Sequence, residues 1–233
     1  NKGIYTFSDF LDPYQKNIVD KALSGNIDTE LIFNGGYGGA EREVAIFCPN
    51  NMPAEDLEEH DLPLKLIYVK LKARENLSHR DFLGSLMGLG IKREKVGDII
   101  VKEESCEIVV MDEIAEFIKF NLVKVGNTNV DTEIRDIGEI TAPEPKVKEI
   151  NTTVASLRLD SIASAGFGIS RSKMVEFIKG EKVNLNWETI NSLTKQVKDR
   201  DTISIRGKGR DVVLIRGNNV KMEGIAVALK RLI

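Results

Sequence analysis

Cysteine is nearly absent, Cys48 and Cys106 being the whole supply. The two lie far apart, with neither a metal-ligand spacing nor a disulfide framework around them, so no structural metal, cofactor or stapled fold is expected. Strand-like apolar neighbours mark both as buried thiols. Also missing is any apolar run near the roughly 18 residues of a membrane span, and no signal-peptide pattern opens the chain. A cytoplasmic protein is therefore expected. The chain starts at Asn1 instead of methionine, so native residues are expected to precede it. Phosphate-binding loops of the Gly-Lys-Ser/Thr kind are lacking too. Gly35-Gly36-Tyr37-Gly38-Gly39 has no such sequel and joins two strand-like runs, which reads as a hairpin connection. No serine or cysteine nucleophile is paired with His79 and Asp81, and next-but-one residues on a helix do not face each other. Ser78 as a helix N-cap accounts for that segment, and no catalytic residue is expected.

What is present is ordinary globular composition, 233 residues with 42% hydrophobic and 30% charged, enough for more than one domain. The net charge of −3 conceals a division. Residues 151–233 carry 15 Lys and Arg against 8 Asp and Glu, a balance of +7, while residues 1–150 carry 18 against 28, a balance of −10. The positive end is the one expected to meet nucleic acid.

Residues 1–61 read as a small α/β segment. Asp12-Pro13 starts a helix whose buried stripe is Ile18, Val19, Ala22 and Leu23, and Ser24-Gly25-Asn26 ends it. Strands follow at 30–34 and 43–47, then an acidic linker or connecting helix from Pro53 to Pro63. Residues 62–142 give strand (64–72), helix (78–89), two strands (98–101 and 106–110), helix (112–122), and strand-like sequence at 123–125 and near 133–140. This βαββαβ order is that of a ferredoxin-like or RNA-recognition-like sandwich. The RNA-recognition version needs stacking aromatics on its central strands. Only Tyr68 is available here, so a scaffold is expected. Residues 143–150, with Pro143 and Pro145, read as a charged linker.

The stretch from Leu157 to Asn186 reads as two short helices and a strand. Leu159, Ile162, Ala163 and Gly166 recur at helical spacing until Gly166 and Gly168 break the pattern. Ser170 N-caps a second helix carrying Met174, Phe177 and Ile178, Gly180 stops it, and Val183 and Leu185 alternate into a strand. Arg171 and Lys173 lie in a first turn, where cations oppose the helix dipole by a few tenths of a kcal/mol, roughly. A phosphate there removes the conflict, and the alternative reading is a solvated face on which charges happen to cluster. Arg158 belongs to the same cluster, and Lys179 and Lys182 flank the helix end. Downstream, Ile203–Arg206 and Val212–Ile215 form a hairpin around Gly207-Lys208-Gly209-Arg210, whose cations suit phosphate contact. Asn218-Asn219 reads as a turn, after which Ala226, Leu229 and Leu232 pack back.

Arg158-Leu159-Asp160, Gly166, Ser170-Arg171, Ile178, Val183 and Asn186, followed by Asp201 to Arg210, resemble the S-four-type (alpha-L) RNA-binding domain. Two departures fall at turns: Gly180 lies one position before the expected glycine, and Trp187 stands where glycine is usual. Together with the segment from Leu77 through Gly97-Asp98-Ile99, the whole chain resembles the YlmH family of bacterial S-four-domain proteins. The resemblance implies an α+β protein with the S-four-type domain at residues 151–233. It also implies RNA contact through Arg158, Ser170, Arg171, Lys173, Lys179, Lys182, Asn184, Asn186, Arg206, Lys208 and Arg210. The implied partner is the large ribosomal subunit, through rRNA with tRNA or peptidyl-tRNA, in ribosome-associated quality control of obstructed subunits. A monomer without chemistry of its own is expected. Two rival readings stand beside this one, an RNA-modification enzyme and a cell-division adaptor using the acidic half to reach division proteins. Against the enzyme, residues 1–150 hold no glycine-rich methyl-donor loop opening a helix after a strand. On the RNA-binding reading, Arg171→Ala with Lys173→Ala lowers RNA affinity and leaves the fold intact.

Overall fold

The computed structural model describes residues 4–23, 29–72, 77–141, 147–219 and 224–232 of a mixed α+β protein. The chain divides into two compact units, Asn1–Pro143 and Glu144–Ile233.

In the first unit, β1 (Thr6–Leu11) leads to α1 (Pro13–Leu23), β2 (Thr29–Asn34) and β3 (Glu43–Pro49). These strands form an antiparallel three-stranded sheet in the order β1-β3-β2, and the Asn34–Val44 pair closes the glycine-rich connection as a hairpin. Pro13 takes the first helical position, but the expected buried stripe is absent: Ile18 and Ala22 are exposed and no α1 side chain is buried. What α1 lays on the sheet is Lys16, whose ammonium pairs with Glu43 and stands 4.8 Å from the centre of the Phe33 ring. The stop at Ser24-Gly25-Asn26 lies outside the described residues. The acidic connection holds two single 3-10 turns, Ala54–Asp56 and Glu59–Asp61.

The unit continues with β4 (Leu64–Leu71), α2 (His79–Gly88), β5 (Val96–Val101), β6 (Ser105–Met111), α3 (Asp112–Asn121), β7 (Lys124–Val125) and β8 (Thr128–Arg135). The five strands pair antiparallel in the order β5-β6-β4-β8-β7. The strand expected near 133–140 starts earlier and stops at Arg135, because Asp136 and Glu139 form a reciprocal cap on a 3-10 turn, Ile137–Glu139.

The residues of β6 dictate the layering, since all seven are buried. Cys106, Ile108 and Val110 pack with Phe82 and Leu86 of α2 and Ala115 and Ile118 of α3. Val109 and Met111 pack instead with Phe10, Val44 and Ile46 of the first sheet, alongside Leu64 and Leu66. A strand buried on both faces needs a layer on each. Gly97 permits a close approach, because a Cβ there would lie 2.7 Å from the Phe10 ring and 3.2 Å from Val109 Cβ. Beside it, Asp98 accepts bonds from the Tyr37 hydroxyl at 2.7 Å and from the N–H groups of Glu41 and Arg42 at 2.7 and 3.1 Å. Gly97-Asp98 thus anchors the β2–β3 loop on β5. Both cysteines are buried, and burial pushes their thiols above the ordinary range.

The second unit runs β9 (Val147–Val154), α4 (Leu159–Phe167), α5 (Arg171–Lys179), β10 (Val183–Leu185), β11 (Glu188–Thr189), β12 (Thr202–Ile205), β13 (Gly209–Asn219) and β14 (Gly224–Leu232). Its six strands take the order β11-β10-β12-β13-β14-β9. The helical stripes bury as expected: Leu159, Ile162, Ala163, Met174 and Ile178 pack on Val183, Leu185, Ile203, Ile205 and Val213. Gly166 lies inside α4 instead of breaking it, and a Cβ there would meet Asp211 Oδ2 at 2.7 Å and Leu229 Cδ1 at 2.8 Å. Gly168, at φ 62, is the actual cap.

Residues 147–150, read as linker, belong to β9 and pair with β14, Ile150 facing Leu229. Lys148 and Glu149 hid the strand by sitting in adjacent positions of a charged run. Asn218 and Asn219, read as a turn, extend β13 opposite Ile225 and Gly224. The pairing shifts register between Ile215 and Gly217, and such a bulge breaks the period-two pattern from which a strand is read. The two departures from the S-four-type pattern have a backbone consequence. Glu181, the position where glycine was expected, has φ 54, and Trp187 has φ 64. A side chain in this left-handed region costs about 1–2 kcal/mol.

Gly166→Ala should therefore lower the stability of the second unit by about 1–3 kcal/mol through overpacking, whereas Glu181→Gly should raise it by about 1 kcal/mol. Urea unfolding followed by circular dichroism measures both shifts.

Candidate nucleic-acid interface

Asp160, in the first turn of α4, is only 3% exposed. A carboxylate so placed stays ionised only with strong partners. Arg158 supplies two bonds, Nε to Oδ1 at 3.0 Å and Nη2 to Oδ2 at 3.1 Å, and Arg171 Nε donates to Oδ2 at 3.0 Å. Burial pushes Asp160 up, but the bonds from Arg171 and Arg158 outweigh it and hold the carboxyl below its ordinary range. One negative charge thus orients two positive ones at the openings of α4 and α5. The Arg171 side chain remains 56% exposed, so the group still presents positive charge to solvent. Ser170 caps α5 as expected, its Oγ accepting the Lys173 N–H at 3.4 Å. The structure brings Arg158, Ser170, Arg171 and Lys173 to this one place.

A second group forms at the sheet. The Arg206 N–H donates to the Lys182 carbonyl at 3.0 Å, which sets the 206–208 turn beside the start of β10. Gly207 at φ 81 and Gly209 at φ 99 shape the turn that carries Lys208. Cross-strand register aligns Asn184 of β10 with Ser204 of β12 and Arg210 of β13. Their neighbours Val183, Ile203 and Ile205 face the helices, so by alternation this row lies on the opposite face of the sheet. Lys179 occupies the last turn of α5, where a cation suits the helix dipole.

Asn186 is engaged within the fold. Its Nδ2 donates to Asp201 Oδ1 and its Oδ1 accepts the Thr202 N–H, both at 2.8 Å, so the amide holds the turn. Asp160 was missed as a site residue, although it is the lone acid between Arg158 and Arg171 and stands in the Arg158-Leu159-Asp160 element. In the first unit, the sheet face that could stack bases is largely closed. Leu64, Leu66, Val109 and Met111 lie buried against the three-stranded sheet, and the Tyr68 ring is covered by the Arg135 guanidinium at 3.6 Å. The Ser78-His79-Arg80-Asp81 segment is structural at its ends, Asp81 accepting the Ser78 N–H and hydroxyl at 2.7 Å each.

Fold and site together define a two-unit α+β protein with two groups of cations on its C-terminal unit, one at the helix starts and one at the sheet. Residues 58–139 match the family model described as "Putative RNA-binding domain in YlmH". Over 204 residues the chain is 35% identical to the Ribosome-associated protein quality control protein P2 of Bacillus subtilis (strain 168), covering 87% of this chain and 78% of that protein. The solved Cell division protein ylmH from Streptococcus pneumoniae shares the fold with a TM-score of 0.51 at 20% identity, over 59% of this chain and 82% of that one. The chain belongs to the YlmH family.

Because the native carboxyl of Asp160 titrates below its unfolded value, the stability it contributes is full at neutral pH and is lost as pH falls through the native value. Asp160→Asn should flatten this acid limb and cost about 1–3 kcal/mol at neutral pH, the exposure of the two arginines limiting the figure. Thermal unfolding between pH 7 and pH values below the carboxylate range, about 2–4, reads both effects.

Proposed function

We propose that this chain is a non-catalytic RNA-binding protein of the large ribosomal subunit. Residues 151–233 act as an S-four-type (alpha-L) domain that grips RNA by backbone and shape. Residues 62–142 form an RNA-recognition-like scaffold, and residues 1–61 a segment that covers it. The observation that carries this reading is the Asp160 arrangement. Two guanidiniums are oriented in advance at adjacent helix starts, with Lys173 in the same turn, as phosphate recognition requires. The sheet-side cations Lys182, Arg206, Lys208 and Arg210 extend the contact in the same basic unit.

The cellular setting draws on the Bacillus subtilis relative, whose name assigns it to ribosome-associated protein quality control. On this reading the protein works as a cytoplasmic, ribosome-associated monomer on obstructed large subunits, touching rRNA together with peptidyl-tRNA. Crosslinking in cells should then give discrete large-subunit rRNA fragments together with tRNA, and scattered fragments would contradict the assignment.

Arg171→Ala is a compromised probe, since it also strips Asp160 of a partner. Lys173→Ala with Lys208→Ala is cleaner, both side chains being exposed. The pair should weaken binding to large-subunit rRNA and reduce the slope of log K against log salt by about 0.7–0.9 for each lost phosphate contact. The thermal transition should stay in place. Unchanged affinity at physiological salt would remove these lysines from the interface.

A further inference from the structure

Trp187 is the single tryptophan of the chain, and it occupies a position that suits it poorly. Leu185 pairs with Glu188, leaving Asn186 and Trp187 as a two-residue hairpin loop between β10 and β11. Both have positive φ, 50 and 64, which is the type I′ geometry in which Asn-Gly is the favoured sequence. Asn186 fits that loop and reinforces it through Asp201 and Thr202. The bulky residue beside it is the misfit. The residue is half-buried, and the Arg210 guanidinium lies 5.5 Å from the centre of its ring. Arg210 ends the Asn184–Ser204–Arg210 row across the sheet, next to the turn that bears Lys208.

An aromatic plane flanked by a guanidinium within a basic domain is the arrangement on which unpaired bases stack. We infer that Trp187 is a base-stacking platform for an unpaired nucleotide of the bound RNA, with Arg210 and Lys208 holding the adjoining phosphates. The inference rests on the RNA-binding reading above and gives it a chemical preference: loops and bulges over continuous duplex.

The test uses the full chain with two probes, an RNA hairpin with a purine loop and the blunt duplex of its stem. The wild type should favour the hairpin, and its intrinsic fluorescence, which arises from Trp187 together with weaker tyrosines, should be quenched by the hairpin and far less by the duplex. Trp187→Gly leaves an Asn-Gly loop, so its unfolding midpoint should rise while its hairpin affinity falls roughly tenfold. Its salt slope should stay unchanged, because no phosphate contact is removed, and Trp187→Phe should restore most of the affinity. A structural role would instead lower stability and affinity together in Trp187→Gly, which would overturn the proposal. So would wild-type binding to the hairpin without quenching or preference over the duplex. If the wild type bound neither RNA, the RNA-binding reading itself would fall, and the stacking inference with it.

Discussion

A carboxylate with almost no contact with water organises the cationic cluster of the second unit. Asp160 is kept ionised by Arg158 and Arg171, and in return it fixes where those two guanidiniums stand. Without that anion, two cations at adjacent helix starts would repel each other and oppose the helix dipoles. With it, each arginine is held through one edge while charge remains turned to solvent. The same logic recurs at Asp211, buried and bonded by Arg231, whose Nη2 also donates to the Gly166 carbonyl at 2.7 Å. There the pair has no outward role that the geometry requires. It ties β14 to α4, and it explains why nothing larger than glycine fits at position 166.

The first unit obeys an apolar constraint instead. β6 is buried throughout, so the sheet needs helices on one face and a second sheet on the other. That second sheet covers the surface on which an RNA-recognition-like fold would stack bases. The scarcity of aromatics on β4 and β6 follows from this packing, since aliphatic side chains fill a sheet-on-sheet interface and have no base to meet. Gly97 and Asp98 set the distance and register of the two layers.

Turn positions reveal where local preference yields to other demands. Asn186 is at home in a left-handed loop, whereas Glu181 and Trp187 are not. Strain of this kind persists only where surrounding contacts over-determine it. The network from Asn186 to Asp201 and Thr202 supplies such contacts beside Trp187.

Much of the second unit was legible from residue order. The three-and-four spacing of Leu159, Ile162, Ala163 and of Met174, Ile178, the cap at Ser170, and the alternation of Val183 and Leu185 are local signals, and a chain folding locally obeys them. The charge division between residues 1–150 and 151–233 was equally plain. Other features required the assembled molecule. The stripe on α1 is periodic, yet Ile18 and Ala22 are exposed and Val19 and Leu23 only half-buried, because periodicity reports a possible face and not its partner. β9 and the length of β13 emerge only through pairing with β14, across a bulge that no period-two pattern survives. Asp160 became a site residue only when burial removed its water and left Arg158 and Arg171 as its remaining partners. Residue order thus determined the elements and the sign of the charge. Tertiary structure decided which faces were covered and which cations were held in place, because burial and cross-strand register depend on residues distant in the chain.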